Sequence, residues 1–215
     1  MISRSQTSAR IRPRLRPTTL IVSSLLAVSV SLGFANDSAE DHATHVHAAA
    51  RQTMTAVSNY MVPAVRLVRD DGAVVSLPQE MNDGRAVVLN FIFTTCGSIC
   101  PLMSQVFSQF ERRLGADRDK VHLMSISIDP EEDTPARLRD YAKKFRAGPE
   151  WQHYTGTVEA SVATQRAFDV YRGDKMSHLP VTLLRTAPGK PWVRINGFVT
   201  PDELLQQYRH ALGAR

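Results

Sequence analysis

Cys96 and Cys100 are the two cysteines of this 215-residue chain, and they stand four positions apart in the segment Thr94–Pro101, TTCGSICP. On a helical turn, positions i and i+4 differ by about 40° of rotation, so both sulfurs can face one point. Alpha-carbons that far apart are also within reach of a disulfide. A helix starting at this loop puts partial positive charge beside the thiols and favours the thiolate form. Thiolates are both nucleophiles and soft-metal ligands. Three roles therefore stand open: a structural bridge, a redox couple and a metal site. A bridge closing so short a loop would constrain the unfolded chain little.

Two thiolates leave a soft ion short of a ligand. A neutral imidazole is the natural supplement, and thiolates select Cu(I), with Cu(II) as the second state of the same metal. The chain has seven histidines. His122 lies within an apolar run and reads as a satisfied core residue. His153 and His210 lie in a polar stretch and a terminal helix and read as surface residues. His178 precedes the strand that opens at Pro180, at the end expected to face the cysteine loop, and is the candidate third ligand. Met176 carries a soft thioether two residues earlier, but reads first as a packing or loop residue. Asp129 reads as a turn residue before Pro130, with a hydrogen bond to a loop or electrostatic steering of the site as the rival reading. Asp133 and Thr134 read as helix-capping residues.

The elements that must position these residues are visible as runs and periods. Val65–Val68 and Val74–Leu77 are short strand-like runs around Asp70-Asp71-Gly72, a turn signal that predicts a hairpin. Arg85–Phe93 (RAVVLNFIF) and Val121–Ile128 (VHLMSISI) are near-continuous apolar runs, as expected of strands buried on both faces. Between them a helix is expected from about Pro101 to Leu114, with Leu102, Met103, Val106, Phe107 and Phe110 at helical spacing. Thr134 predicts the cap of a helix over Pro135–Phe145, with proline in its first position. A further helix is expected over Val158–Phe168 and a hairpin over Pro180–Arg185 and Pro191–Asn196. A closing helix over Pro201–Leu212 is capped by Thr200. This order predicts an α/β fold of the thioredoxin-like kind: a central mixed β-sheet flanked by helices, with an N-terminal β-hairpin. Redox thioredoxins place two residues between their cysteines. Here there are three, Gly97, Ser98 and Ile99, and the wider loop suits two thiolates gripping one ion.

Composition places the chain among ordinary globular domains, with 43% hydrophobic and 22% charged residues. Its net charge of +5 is local, because Arg4, Arg10, Arg12, Arg14 and Arg16 precede residue 36 and no acid does. Without them the chain is formally neutral, so no nucleic-acid partner is expected. Residues 1–35 read as an export signal: an arginine-rich start, an apolar run over residues 20–35, and small residues at Gly33 and Ala35. Cleavage by a Sec-type route is the expectation, and an uncleaved inner-membrane anchor is the rival. Either way the rest of the chain is expected in an extracytoplasmic space, the bacterial periplasm. Residues 36–60 read as a linker containing the cluster His42, His45 and His47, a flexible tract of the kind that can collect metal ions. The folded domain is then expected over residues 61–215.

These segments together resemble the Sco (SenC) copper chaperones. FTTCGSICP, residues 93–101, looks like the family's Cys-x-x-x-Cys-Pro loop. SISIDPEEDTPARLRDY, residues 125–141, looks like its Asp-Pro-x-x-Asp-Thr-Pro segment, and His178 sits where the family has its lone metal-binding histidine. Gly97 stands where the family commonly has proline, and Ser177 where an aspartate commonly precedes the histidine. Leu179-Pro180-Val181-Thr182 looks like the cis-proline segment of true thioredoxins. The resemblance implies that Cys96, Cys100 and His178 bind copper. It also implies delivery to the binuclear copper centre of cytochrome c oxidase subunit II, or to another copper-accepting protein. An upstream periplasmic copper carrier or a thiol reductase would serve the site. The alternative is a thiol–disulfide reductase in which Cys96 attacks, Cys100 resolves and the client's copper-ligand cysteines are kept reduced. A thiol peroxidase would share the fold, but no peroxide-activating motif surrounds Cys96.

Overall fold

The computed structural model describes residues 53–213. The expected export segment, the histidine cluster and most of the expected linker lie outside the described residues. Eight strands form one mixed sheet: β1 (Met54–Ser58), β2 (Arg66–Arg69), β3 (Val74–Ser76), β4 (Ala86–Ile92), β5 (Val121–Ser127), β6 (Trp151–Thr155), β7 (Val181–Arg185) and β8 (Trp192–Asn196). Their order across the sheet is β1-β8-β7-β4-β5-β6-β2-β3. The pairs β4–β5 and β5–β6 are parallel and the other pairs antiparallel. Among the described residues five α-helices accompany them: α1 (Leu77–Met81), α2 (Ile99–Leu114), α3 (Pro135–Phe145), α4 (Val158–Ala167) and α5 (Pro201–Gly213). Among the described residues no helix is long and apolar enough to cross a membrane.

Every residue of β4 and β5 is buried, which is why their sequences run apolar rather than alternate. Ala86, Val88 and Ile92 of β4 face one core with Phe107, Phe110, Leu138, Tyr141 and Leu204 from α2, α3 and α5. Val87, Leu89 and Phe91 face the second core with Leu77, Met81, Ala160 and Trp192. The helix starts follow the caps read from the sequence. Thr134 Oγ1 accepts the Arg137 N–H at 3.3 Å, and Pro135 occupies the first turn of α3. Thr200 and Glu203 form a reciprocal box, with the Glu203 N–H on Thr200 Oγ1 at 3.2 Å and the Thr200 N–H on Glu203 Oε2 at 2.7 Å. The β2–β3 turn uses Gly72 at φ +91°, with its N–H on the Arg69 carbonyl at 2.8 Å.

The structure corrects several boundaries. The segment expected as a linker up to residue 60 contributes β1, which pairs with β8 from Met54↔Asn196 to Ser58↔Trp192. The strand expected to run through Leu77 stops at Ser76, and α1 follows, with proline in its first turn. Strand β6 was not expected, and it carries His153 to full burial rather than to the surface. Helix α2 begins at Ile99, two residues before the expected start, so Cys100 lies in its first turn.

Candidate metal centre

Sheet topology gathers the sequence motifs at one end. Strands β4 and β5 run parallel, with Ile92 opposite Ser127. Strand β7 runs against β4, with Thr182 opposite Asn90, and β8 runs against β7, with Asn196 opposite Val181. The loops after β4, β5 and β8 and the loop before β7 therefore emerge together. They carry Cys96, Asp129 and Asp133, Phe198, and His178 respectively.

The cysteine loop leaves β4 through a turn in which the Cys96 N–H donates to the Phe93 carbonyl at 3.2 Å. Asp133 anchors this turn, and it is a clamp rather than the helix cap expected from sequence. Its carboxylate is wholly buried. It accepts the Thr94 hydroxyl at 2.5 Å, the Thr94 N–H at 3.1 Å and the Ser127 hydroxyl at 2.6 Å. A carboxylate that collects three donors from two strand ends fixes the backbone two residues before Cys96. Thr134 alone supplies the cap.

Cys96 and Cys100 are brought together as free thiols. The Cys100 N–H, one of the donors left unpaired at the start of α2, points at Cys96 Sγ at 3.4 Å. The Ser98 hydroxyl stands 4.0 Å from the same sulfur. Burial opposes the Cys96 thiolate, but the backbone contacts from Cys100 and Ser98 outweigh it and hold this thiol below its ordinary value. Cys100 is 1% exposed, and burial pushes its thiol far up, reinforced by the neighbouring Cys96 sulfur. The pair is therefore unequal: a half-exposed thiol held below its ordinary pKa and a buried one pushed above it.

His178 reaches the same end of the sheet but does not join the sulfurs. It follows a 3-10 turn over Lys175–Ser177 and is 5% exposed. Its Nε2–H donates to the Phe91 carbonyl of β4 at 3.0 Å, which leaves the lone pair on Nδ1. Burial lowers its pKa, opposed by the bond to the Phe91 carbonyl and aided by the Arg172 charge. Among the described residues no three His, Cys, Asp or Glu side chains stand together as a metal-holding group.

Asp129 does two things. Its carbonyl accepts the Glu132 and Asp133 N–H groups, which is the expected turn. Its carboxylate also pairs with Lys175 at 2.6 Å, a bond to a loop whose partner the sequence did not name. Met176 is 74% exposed, so it is a loop residue without a packing role. No peptide bond among the described residues is cis, and the Pro180 carbonyl accepts the Gly197 N–H at 2.9 Å. His122 is the satisfied core residue expected, bonded to the Tyr154 hydroxyl at 2.9 Å. His210 is exposed, as expected. His153 is buried against Trp151 and Tyr141, its nearest charged group being Asp70 at 3.7 Å.

The family model described as SCO1/SenC matches residues 54–213. The chain is 32% identical over 105 residues to the SCO1 protein homolog of Bacillus subtilis, covering 48% of this chain and 53% of that one. The matched region thus spans about half the length of that relative. Among solved structures, ScoI of Arabidopsis thaliana with copper bound superposes with a TM-score of 0.60 and 25% identity, over 74% of this chain and 100% of that one. BsSco, described as a member of the Sco family of cytochrome c oxidase assembly proteins with a disulfide switch, gives 0.62 and 25%, over 75% and 99%. The eight-stranded mixed sheet flanked by helices is thus the thioredoxin-like fold of these proteins. With the cysteine loop, the Asp129–Thr134 segment and His178 all at one end of that sheet, the chain belongs to the SCO1/SenC family.

Proposed function

We propose that this protein is an extracytoplasmic copper chaperone whose Cys96, Cys100 and His178 hold one copper ion as cargo, with Cu(I) the favoured state. The observation that carries this reading is the pair of sulfurs four residues apart at the entry to α2, with the Cys100 N–H donating to Cys96 Sγ at 3.4 Å. They form a soft donor set, and the imidazole of His178, carried to the same end of the sheet, is the third ligand in this reading. Copper delivered to the binuclear copper centre of cytochrome c oxidase subunit II is the reading the family membership favours. Export by residues 1–35, with residues 20–35 as a signal or an anchor, would put the site in the periplasm.

The residues present would act as follows. Cys96 binds first, because it is the more exposed sulfur and the one whose thiol pKa is lowered rather than raised. Cys100 gives up its proton only when the metal replaces it, so loading releases protons and weakens as pH falls. His178 gives up the bond from Nε2–H to the Phe91 carbonyl and turns its imidazole toward the sulfurs. A competitive Cu(I) titration of the reduced protein tests the site, with His178→Ala alongside. One equivalent held tightly, and weakened at least tenfold by the substitution (about 1.4 kcal/mol), is expected. Affinity indifferent to His178 would remove the three-ligand assignment.

The inequality of the thiols favours a second reading, a thiol–disulfide reductase. The Cys96 thiolate would attack a client disulfide, releasing one client thiolate and forming a mixed disulfide. Cys100 would then lose its proton and displace the second client sulfur, leaving a Cys96–Cys100 disulfide and two client thiols. His178→Ala would spare this chemistry, so the same variant separates the two readings.

A further inference from the structure

The turn that carries His178 is tied down at a point no motif predicts. Lys175 Nζ lies 2.6 Å from Asp129 Oδ2 and 5.8 Å from the centre of the Phe93 ring. Asp129 follows β5 and Phe93 opens the cysteine loop, so one ammonium joins the histidine turn to both neighbouring strand ends. Asp129 is 6% exposed, so its carboxylate has few waters to replace the lysine.

The turn transmits this restraint. The Asp174 carboxylate caps it, accepting the Met176 N–H at 2.9 Å. The Ser177 N–H bonds the Asp174 carbonyl at 3.0 Å and the His178 N–H bonds the Lys175 carbonyl at 3.2 Å. The four residues from Lys175 to His178 thus move as one hydrogen-bonded unit, with Lys175 at one end and His178 at the other. A cavity of about 370 Å³ flanks the unit, walled by Asp129, Ser161, Gln165, Lys175 and His178. The turn can therefore shift without displacing core side chains.

We propose that Lys175 is a positioning residue: its bond to Asp129 holds His178 against β4, away from the sulfurs, and its release governs how readily the imidazole joins them. The inference rests on the reading of Cys96, Cys100 and His178 as the copper ligands. A protein whose ligand-ready conformation is only partly populated binds with an affinity reduced by that fraction. Weakening the restraint raises the fraction and tightens binding.

The test is a competitive Cu(I) titration of the reduced full-length chain, comparing wild type with Lys175→Gln, Asp129→Asn, His178→Ala and Lys175→Gln/His178→Ala. Glutamine keeps the length and removes the charge. Lys175→Gln is expected to tighten binding about threefold to tenfold and to have no effect in the His178→Ala background. A merely structural role would not give that dependence. Asp129→Asn removes charge from the other end and should act in the same direction, which keeps the test open if Lys175→Gln folds poorly. Unchanged or weaker binding in Lys175→Gln and Asp129→Asn, with His178→Ala still weakening it, overturns the restraint and leaves the ligand set standing. Affinity unmoved by His178→Ala overturns the ligand set, and the restraint with it.

Discussion

Asp133 offers the sharpest test of how the cysteine loop is held. Its two carboxylate oxygens accept the Thr94 hydroxyl, the Thr94 N–H and the Ser127 hydroxyl, and no solvent reaches it. Asp133→Ala strands three donors in a dry space and leaves a void where the carboxylate stood. A hydrogen bond to a charged group is worth about 1.5–3 kcal/mol. The three do not add, because the hydroxyls can rotate and water can enter. The cost of burying the carboxylate also disappears. The net loss expected is about 3–5 kcal/mol, roughly two such bonds once the carboxylate's own burial cost is removed. At about 2–4 °C per kcal/mol for a domain of this size, the melting temperature of the reduced protein falls by about 6–20 °C. Asp133→Asn keeps the shape and one acceptor oxygen but turns an N–H₂ toward a donor, for about 1–3 kcal/mol. Thermal unfolding gives the ranking wild type, Asn, Ala. Reaction of the second thiol with a disulfide reagent should quicken in the same order as the turn before Cys96 loosens. An Ala shift below about 1 kcal/mol would refute the clamp. An Asn variant as damaged as Ala would show that charge, not the number of acceptors, is what matters.

Limiting iodoacetamide at neutral pH should label Cys96 first, because it is half-exposed with a lowered thiol pKa, while Cys100 resists until the fold opens; peptide mapping that finds equal labelling would contradict this. Burial holds both His122 and His153 below the ordinary histidine value. The unfolded chain then binds more protons than the folded one, so this stability is present above about pH 6.5 and is lost as pH falls below it. Urea midpoints should therefore drop between pH 7.5 and 5.5, and His153→Phe, which keeps the ring packing against Trp151, should flatten the drop. Thr200→Ala breaks the reciprocal box at the start of α5 and should cost about 1 kcal/mol in a denaturant melt. Gly148→Ala would put a methyl 2.4 Å from buried Glu111 Oε1, whose partner oxygen accepts the Gly148 N–H, and should destabilise more than Thr200→Ala in the same assay.

What was legible in the sequence had a strong local signal. The apolar runs of β4 and β5, the caps at Thr134 and Thr200 and the Gly72 turn each carry their own cause, and their elements stand where expected. Strand β6 was illegible because its letters, WQHYT, are polar in type although four of the five are buried. Its polar atoms are absorbed by the fold itself, with Trp151 Nε1–H on Ser125 Oγ at 2.9 Å and the Tyr154 hydroxyl on Glu80 at 2.7 Å. Strand β1 was illegible for the opposite reason: Met54–Ser58 is largely exposed, and only its pairing to β8 makes it a strand. At the site, residue types and spacing were enough to single out the cysteines. The roles of Asp133 and Lys175 were not readable, because both act through partners 39 and 46 positions away in the chain.

The inequality of the two sulfurs bears on how cargo would leave. An acceptor's donor must come within bonding distance of the ion, and Cys96 is the side it can reach. Cys100 is sealed in the first turn of α2, so its bond to the ion would be the last to break. A buried thiolate is an unfavourable state once the metal goes, because the same burial that raises the Cys100 thiol pKa favours its neutral form. Release then returns a proton to Cys100 and relieves that penalty. The feature that makes Cys100 a poor free thiolate thus makes it a ligand that lets go, which an exposed pair of equal thiols would not provide. On the proposed copper-carrier reading, in which the ion is bound and then given up, a site with one ready sulfur and one reluctant sulfur is better matched than a closed cage.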